Sequence, residues 1–108
     1  MTVGELQEAL GLRAVVPADP ERVVTGGYAG DLLSRVMAHA KSGDAWVTIM
    51  TNRNVVAVAM LTDVAAVIFA EGTEPDADAV AAAEARGINL LASEQPAFAV
   101  CKALGARL

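Results

Sequence analysis

The sequence predicts a single α/β domain in three layers, with a mainly parallel sheet between helices on both faces. From Ala45 onward, apolar strand-like runs alternate with helical segments, which is typical of parallel strands joined by right-handed crossovers. The apolar fraction of 55% and the aromatic fraction of only 4% indicate a core of small, closely packed side chains. Because 108 residues suit one core, we expect residues 1–108 to form one domain.

The first elements are predicted from a capping pattern and from glycine and proline positions. Thr2 and Glu5 match a capping box at the start of a short helix, and Gly11 is expected to end it. The run LRAVV is then predicted to be a strand, which the prolines of PADP terminate. The run RVV, at residues 22–24, is predicted to be a second short strand.

The segment VVTGGYAGDLLS, residues 23–34, is predicted to lead from that strand into a helix. Asp31 occupies the expected N-cap position, and apolar residues recur at helical spacing from Leu32 to Ala40. KSGD is expected to close this helix, with a glycine just past its end. Glycines permit positive φ and close backbone approach, so the segment suits either a strand-to-helix bend or a loop that contacts a ligand. Both alternatives stay open.

The second half of the chain is predicted to alternate between strands and helices. The runs AWVTIM, AAVIFA and INLLA are the expected strands, and AAVIFA is of the kind buried on both faces. VVAVAML is ambiguous, since valine favours strands whereas its place between two strands favours a crossover helix. We expect a helix there. An alanine-rich helix that starts near Pro75 and closes at Gly87, and a last helix that starts at Ser93, complete the prediction.

No specific phosphate-binding signature occurs in the chain. The Walker A pattern is absent, and Gly26, Gly27 and Gly30 lack the spacing of the dinucleotide-binding fingerprint. The net charge is −5, and the basic residues are scattered singly, so we expect no nucleic-acid partner. The most apolar run falls short of about 20 residues, and the first ten residues lack the pattern of a signal peptide. We therefore expect a cytoplasmic protein that does not enter a membrane.

Polar residues follow the predicted strands at the points where those strands end. Because ligands gather at the carboxyl ends of parallel strands, these residues are the predicted binding site for a nucleotide or small anion. They are Thr25, Gly26, Gly27, Asp31, Thr51, Asn52, Asn54, Glu71 and Ser93. Each of them is equally explained as a helix cap or a turn former, and this alternative also stays open.

The remaining reactive residues favour no catalytic or metal site. His39 is the only histidine and lacks a partner at ligand spacing, while Cys101 is a lone cysteine among apolar residues of the last helix. The acidic turn EGTEPDAD lacks the ligand spacing of a calcium-binding loop. We expect no catalytic residues, no metal and no bound cofactor.

Several linked segments resemble a DRTGG domain along nearly the whole chain. They are Thr25-Gly26-Gly27 and then, in order, GDLLS, GDAWVTI, NVVAVAML and EGTEPD. Glu21-Arg22 precedes the first of these segments and is separated from it by two valines. DRTGG domains are similar to the N-terminal domains of HPr kinase/phosphorylase and of Mur ligases, which implies a three-layer α/β fold. The resemblance also implies a regulatory or assembly role, often with self-association and beside CBS regulatory domains. It supplies no catalytic residues.

These observations together predict a non-catalytic regulatory or interaction domain that acts as a homodimer. The mean hydropathy of +0.44 indicates either elements buried on both faces or an apolar surface covered by a second copy. The alternative is a ligand-sensing domain that binds a nucleotide or small anion at the strand ends. A small enzyme is the weakest hypothesis, because no nucleophile with a partnered base is apparent.

Overall fold

The computed structural model describes residues 1–108 as five helices and five strands. The helices are α1 (Val3–Leu10), α2 (Leu33–His39), α3 (Arg53–Thr62), α4 (Ala77–Arg86) and α5 (Ala97–Gly105). The strands are β1 (Arg13–Val16), β2 (Gly26–Ala29), β3 (Asp44–Thr48), β4 (Ala66–Phe69) and β5 (Leu90–Ala92). They form one sheet in the order β1-β5-β4-β3-β2, in which β2 to β5 are parallel and β1 is antiparallel to β5. The predicted fold class is confirmed.

Successive residues of the central strands point to opposite faces of the sheet, and each face has its own helical layer. Trp46 and Phe69 face α2, α3 and α4, whereas Ala45 and Ile68 face α1 and α5. All four are fully buried. Burying one large apolar side chain stabilises a fold by roughly 1.5–3 kcal/mol, so these two layers supply most of the driving force for folding.

The ambiguous run at residues 55–61 lies in helix α3, as predicted. The Asn52 side chain accepts a hydrogen bond from the amide of Asn54 and caps the first turn, at 2.9 Å. At the other end, Asp63 adopts the left-handed conformation with φ of 58° and closes the helix. Val55, Val56 and Ala59 are buried against the sheet, which is the i, i+1, i+4 pattern of a helix face.

The predictions for the glycine segment are wrong in two places. Residues 22–24 form no strand of the sheet, and β2 begins at Gly26, so Gly26 and Gly27 lie inside a strand rather than in a bend. Asp31 is not the N-cap of α2, because Leu32 takes that position without a side-chain bond. The Asp31 carboxylate instead accepts hydrogen bonds from Thr48 Oγ1 (2.7 Å) and the Ile49 amide (2.9 Å).

Two helix ends also differ from the predictions. Helix α2 ends at His39, and Gly43, with φ of 87°, turns the chain into β3 instead of capping the helix. Helix α5 begins at Ala97 and not at Ser93, since the residue before Pro96 is disfavoured in the helical region. The Ser93 hydroxyl accepts a bond from the amide of Gln95 and stabilises a turn there (3.1 Å).

Arg22 and Thr25 join the segment before β2 to the turns that precede β3 and β4. The Arg22 guanidinium donates to the Asp63 backbone oxygen (2.8 Å) and to its carboxylate (3.1 Å), and the Ser42 hydroxyl donates to the same carboxylate (2.5 Å). The bond from Ser42, and then Arg22, lowers the pKa of Asp63 below its ordinary value. The Thr25 amide donates to the Gly43 carbonyl at 2.9 Å. Arg22 and Thr25 therefore hold the loops at this end of the sheet.

We expect Gly27→Ala to lower the free energy of unfolding by about 1–3 kcal/mol, the usual cost of overpacking. An added Cβ would lie 2.9 Å from Leu104 Cδ2, so the buried Leu104 side chain would have to move from its place in the core. Urea unfolding followed by the fluorescence of Trp46 measures the loss. The loss in free energy of unfolding caused by Gly27→Ala should be smaller in a Leu104→Ala background. An equal loss in both backgrounds would contradict this explanation.

Acid should weaken the contact between Arg22 and Asp63. Because the folded pKa of Asp63 is depressed from 3.8, its stabilising contribution is complete above that pH and is lost as the pH falls through the lower folded value. The gap in free energy of unfolding between the wild type and Asp63→Asn should therefore be largest near neutral pH and shrink below about pH 4. Glu84→Gln, at an exposed position of α4, is the control, and an equal pH-dependent change there would count against the assignment.

Candidate functional site

The carboxyl ends of β2 to β5 form one edge of the sheet, here called the carboxyl edge. Six of the nine predicted ligand-binding residues follow these strands and lie along it: Asp31, Thr51, Asn52, Asn54, Glu71 and Ser93. The structure thus brings together the part of the predicted site that rests on the parallel sheet.

The loops after β4 and β5 are bonded to each other at the carboxyl edge. The amide of Glu71 donates to the Gln95 carbonyl (2.8 Å), and the amide of Gly72 donates to the Ser93 carbonyl (2.9 Å). The Glu71 carboxylate accepts from the amide of Ala97 at the start of α5 (3.3 Å). Glu71 itself has φ of 61°, the left-handed region that favours glycine. These polar groups therefore already have partners within the chain.

Polar groups in the loop after β3, at the other half of the carboxyl edge, also have partners within the chain. The Thr51 carbonyl accepts from the amide of Asp76 at 2.9 Å, and Asn52 caps α3. Acidic residues dominate the loops and helix starts along this edge: Asp31, Glu71, Glu74, Asp76, Asp78 and Glu94. Arg13 forms an ion pair with Glu74. The carboxyl edge is thus acidic, which disfavours the binding of an anion there.

Thr25, Gly26 and Gly27 do not lie at the carboxyl edge. They stand at the start of β2, and Thr25 bonds to the turn before β3 at the opposite, amino edge of the sheet. The expectation that these three residues share an edge with Asp31 and Glu71 is therefore wrong. It failed because it placed the end of a strand at Val24, where the structure has the approach to β2.

A polar cleft of about 220 Å³ opens at the amino edge, lined in part by Arg22, Asp63, Arg86 and Asn89. Asn89 is buried, and its amide group donates to the backbone oxygens of Asp19 (2.8 Å) and Ala65 (2.9 Å). Arg22 and Arg86 bring two guanidinium groups to this cleft, and Asp19 and Asp63 bring two carboxylates. Arg22 is paired with Asp63, so Arg86 is the guanidinium of the cleft that no carboxylate partners. Sequence reasoning missed the site, because its residues come from distant segments; the Glu21-Arg22 pair was the one available signal.

An apolar groove of about 340 Å³ lies between the edge strand β2 and the last helix, α5. It is lined by Gly26, Gly27, Tyr28, Ala29, Val47, Cys101, Leu104, Gly105 and Leu108. None of these side chains is charged at neutral pH. Burial raises the pKa of the Cys101 thiol, which therefore stays protonated and weakly nucleophilic.

The remaining candidates are few. His39 is exposed at the end of α2, and nowhere do three or more His, Cys, Asp or Glu side chains approach closely enough to hold a metal ion. Every helix is too short or too polar to span a bilayer. The candidate sites are therefore the carboxyl edge, the amino-edge cleft and the apolar groove.

No family model and no curated protein matches this chain. Its fold is similar to the crystal structure of the CBS and DRTGG domains of the regulatory region of Clostridium perfringens pyrophosphatase, complexed with the activator diadenosine tetraphosphate. The TM-score is 0.75 at 12% identity, and the match covers 95% of this chain and 45% of that one. The chain thus spans less than half of its structural neighbour. A likeness at this identity shows the fold, and it supports a DRTGG-like fold for this chain.

Proposed function

We propose that this chain is a non-catalytic regulatory domain of the DRTGG type that acts in the cytoplasm through self-association. The observation that carries the proposal is the likeness, over 95% of the chain, to the regulatory region of a pyrophosphatase. That neighbour holds CBS and DRTGG domains in one chain. Regulatory proteins with CBS domains are therefore the further partners that we propose.

The surface supports self-association. A chain of net charge −5 repels its own copies unless they meet through an uncharged surface. The apolar groove beside β2 supplies such a surface, since no charged side chain lines it. The protonated Cys101 thiol in that groove also agrees with a binding role rather than a nucleophilic one.

We expect the purified chain to be a dimer in solution. Size-exclusion chromatography with light scattering, at protein concentrations from low to high micromolar, should give twice the chain mass of 11.1 kDa. The apparent mass should fall on dilution if the two copies exchange. A mass of one chain throughout that range would contradict self-association.

Sensing of a nucleotide is the second candidate function. It is favoured by the activator that the structural neighbour binds, diadenosine tetraphosphate. Charge distinguishes the two places where a nucleotide could bind this chain. In the amino-edge cleft Arg22 is paired with Asp63, but Arg86 has no carboxylate partner, whereas the predicted carboxyl edge is rich in carboxylates. Phosphate groups are therefore better matched to the cleft.

We expect diadenosine tetraphosphate or ATP to raise the thermal unfolding temperature if this second function holds. A ligand at about 100 times its dissociation constant stabilises a fold by roughly 2.7 kcal/mol. Arg86→Gln should abolish the shift if the cleft is the site, whereas Arg53→Gln should do so if the site is the carboxyl edge beside Asn54. Each variant is the control for the other. The absence of a shift with either nucleotide would exclude this function and leave self-association standing.

A further inference from the structure

The two edges of the sheet differ in their protection against pairing with another chain. The edge strand β1 carries Arg13, has an irregular register between Ala14 and Val16, and is followed by Pro17. Charge, bulges and proline are the usual means by which proteins block an edge strand. The other edge strand, β2, has the sequence Gly-Gly-Tyr-Ala, with no charge and no proline. Its register with β3 is regular throughout.

Backbone groups of β2 point away from the sheet at two positions. Ala29 lies opposite Val47, whose carbonyl accepts a bond from the next amide, that of Gly30 (3.1 Å). In a parallel ladder, a residue in the position of Ala29 directs its own N–H and C=O away from the neighbouring strand. The residue two positions before it does the same. The amides and carbonyls of Gly27 and Ala29 therefore face the open edge.

The open stretch is bounded on its amino side. The amide of Val24 donates to the carbonyl of Met1 (2.8 Å), and Thr2 forms an isolated bridge with Val23. The start of the chain thus covers the segment before β2. Only residues 26–29 remain free to pair, which limits the edge to a short and defined contact.

Besides its buried face, helix α5 has an exposed apolar stripe on the side of this open edge. Phe98, Cys101, Gly105 and Leu108 recur at spacings of three, four and three residues, and the last three line the groove beside β2. Phe98 is 80% exposed and Leu108 is 48% exposed. Such spacing is typical of a helix face that packs against another helix. No element of the chain covers this stripe.

The position of α5 over the sheet fits such packing. The helix contacts both β2 and β3, and a Cβ at Gly27 would touch Leu104, so α5 lies over these two strands. Strands lie about 4.8 Å apart. With the α5 axis midway over β2 and β3, a twofold axis midway between β2 and the β2 of a second copy would place the two α5 axes about 9.6 Å apart, within the 8–10 Å at which helices pack.

We infer that two copies of this chain associate through antiparallel pairing of β2 with β2, supported by packing of α5 against α5. The inference rests on the proposed self-association and assigns its surface. The contact is self-complementary, as a twofold dimer requires, and joins the two sheets into one. It buries the uncharged groove and places Cys101 of one copy near Gly105 of the other. Gly105 allows close approach, because it has no side chain to separate the helices.

Substitution of Gly105 tests the surface without disturbing the fold. A Cβ at Gly105 meets nothing within 4 Å, and a cation near the end of a helix is compatible with the helix dipole. Gly105→Arg should therefore keep the cooperative unfolding of a folded chain when followed by Trp46 fluorescence, but its mass by light scattering should halve to about 11.1 kDa. The matched control is Leu61→Arg, at a 76% exposed apolar residue on α3, which should stay dimeric.

Cross-linking supplies an independent measurement. Oxidised Gly105→Cys should run as a covalent dimer on a non-reducing gel, because the new thiol lies near Cys101 of the second copy. Oxidised Leu61→Cys should give much less of this species. A dimeric Gly105→Arg, a monomeric Leu61→Arg or equal cross-linking at both sites would overturn the assigned surface and leave the proposed function intact. A monomeric wild type would overturn the proposed function itself.

Discussion

The parallel pairing of β3 with β4 is the contact on which the rest of the structure depends. Both strands are buried on both faces, with Trp46 and Phe69 on one side and Ala45 and Ile68 on the other. Each helix lies against one of these two apolar layers. The indole N–H of Trp46 also donates to the Gly30 carbonyl at 3.0 Å, which ties the end of β2 to the central strands. Every candidate site is therefore positioned by this pair.

Residues 22–27 have structural roles in the fold that require no ligand. Arg22 and Thr25 hold the turns before β4 and β3, and Gly27 lets Leu104 of α5 lie directly over β2. The absence of a side chain at Gly27 has a second consequence, since it leaves an apolar groove beside an open strand. One small residue thus sets both the packing of the last helix and the character of an exposed surface.

The three candidate surfaces differ in charge. The carboxyl edge is acidic, and its loops bond to one another, whereas the amino-edge cleft holds two guanidinium groups and the β2 edge holds no charge. Association through β2 would leave both polar edges accessible. Two copies joined through β2 could then still bind a ligand or a partner protein at another surface, which is the condition for coupling two binding events.

The sequence by itself determined the fold class, both ends of α1 and the glycine at which α4 ends. The capping box of Thr2 and Glu5, the Asn52 cap and the buried run of β4 act locally or through periodicity, which a single sequence displays. Tertiary structure alone decided that β2 starts at Gly26, because pairing with β3 and packing under Leu104 outweigh the weak strand preference of glycine. It also decided the use of Asp31, whose partners Thr48 and Ile49 are distant in sequence. The open edge and the cleft depend on strand order, which only the folded chain defines.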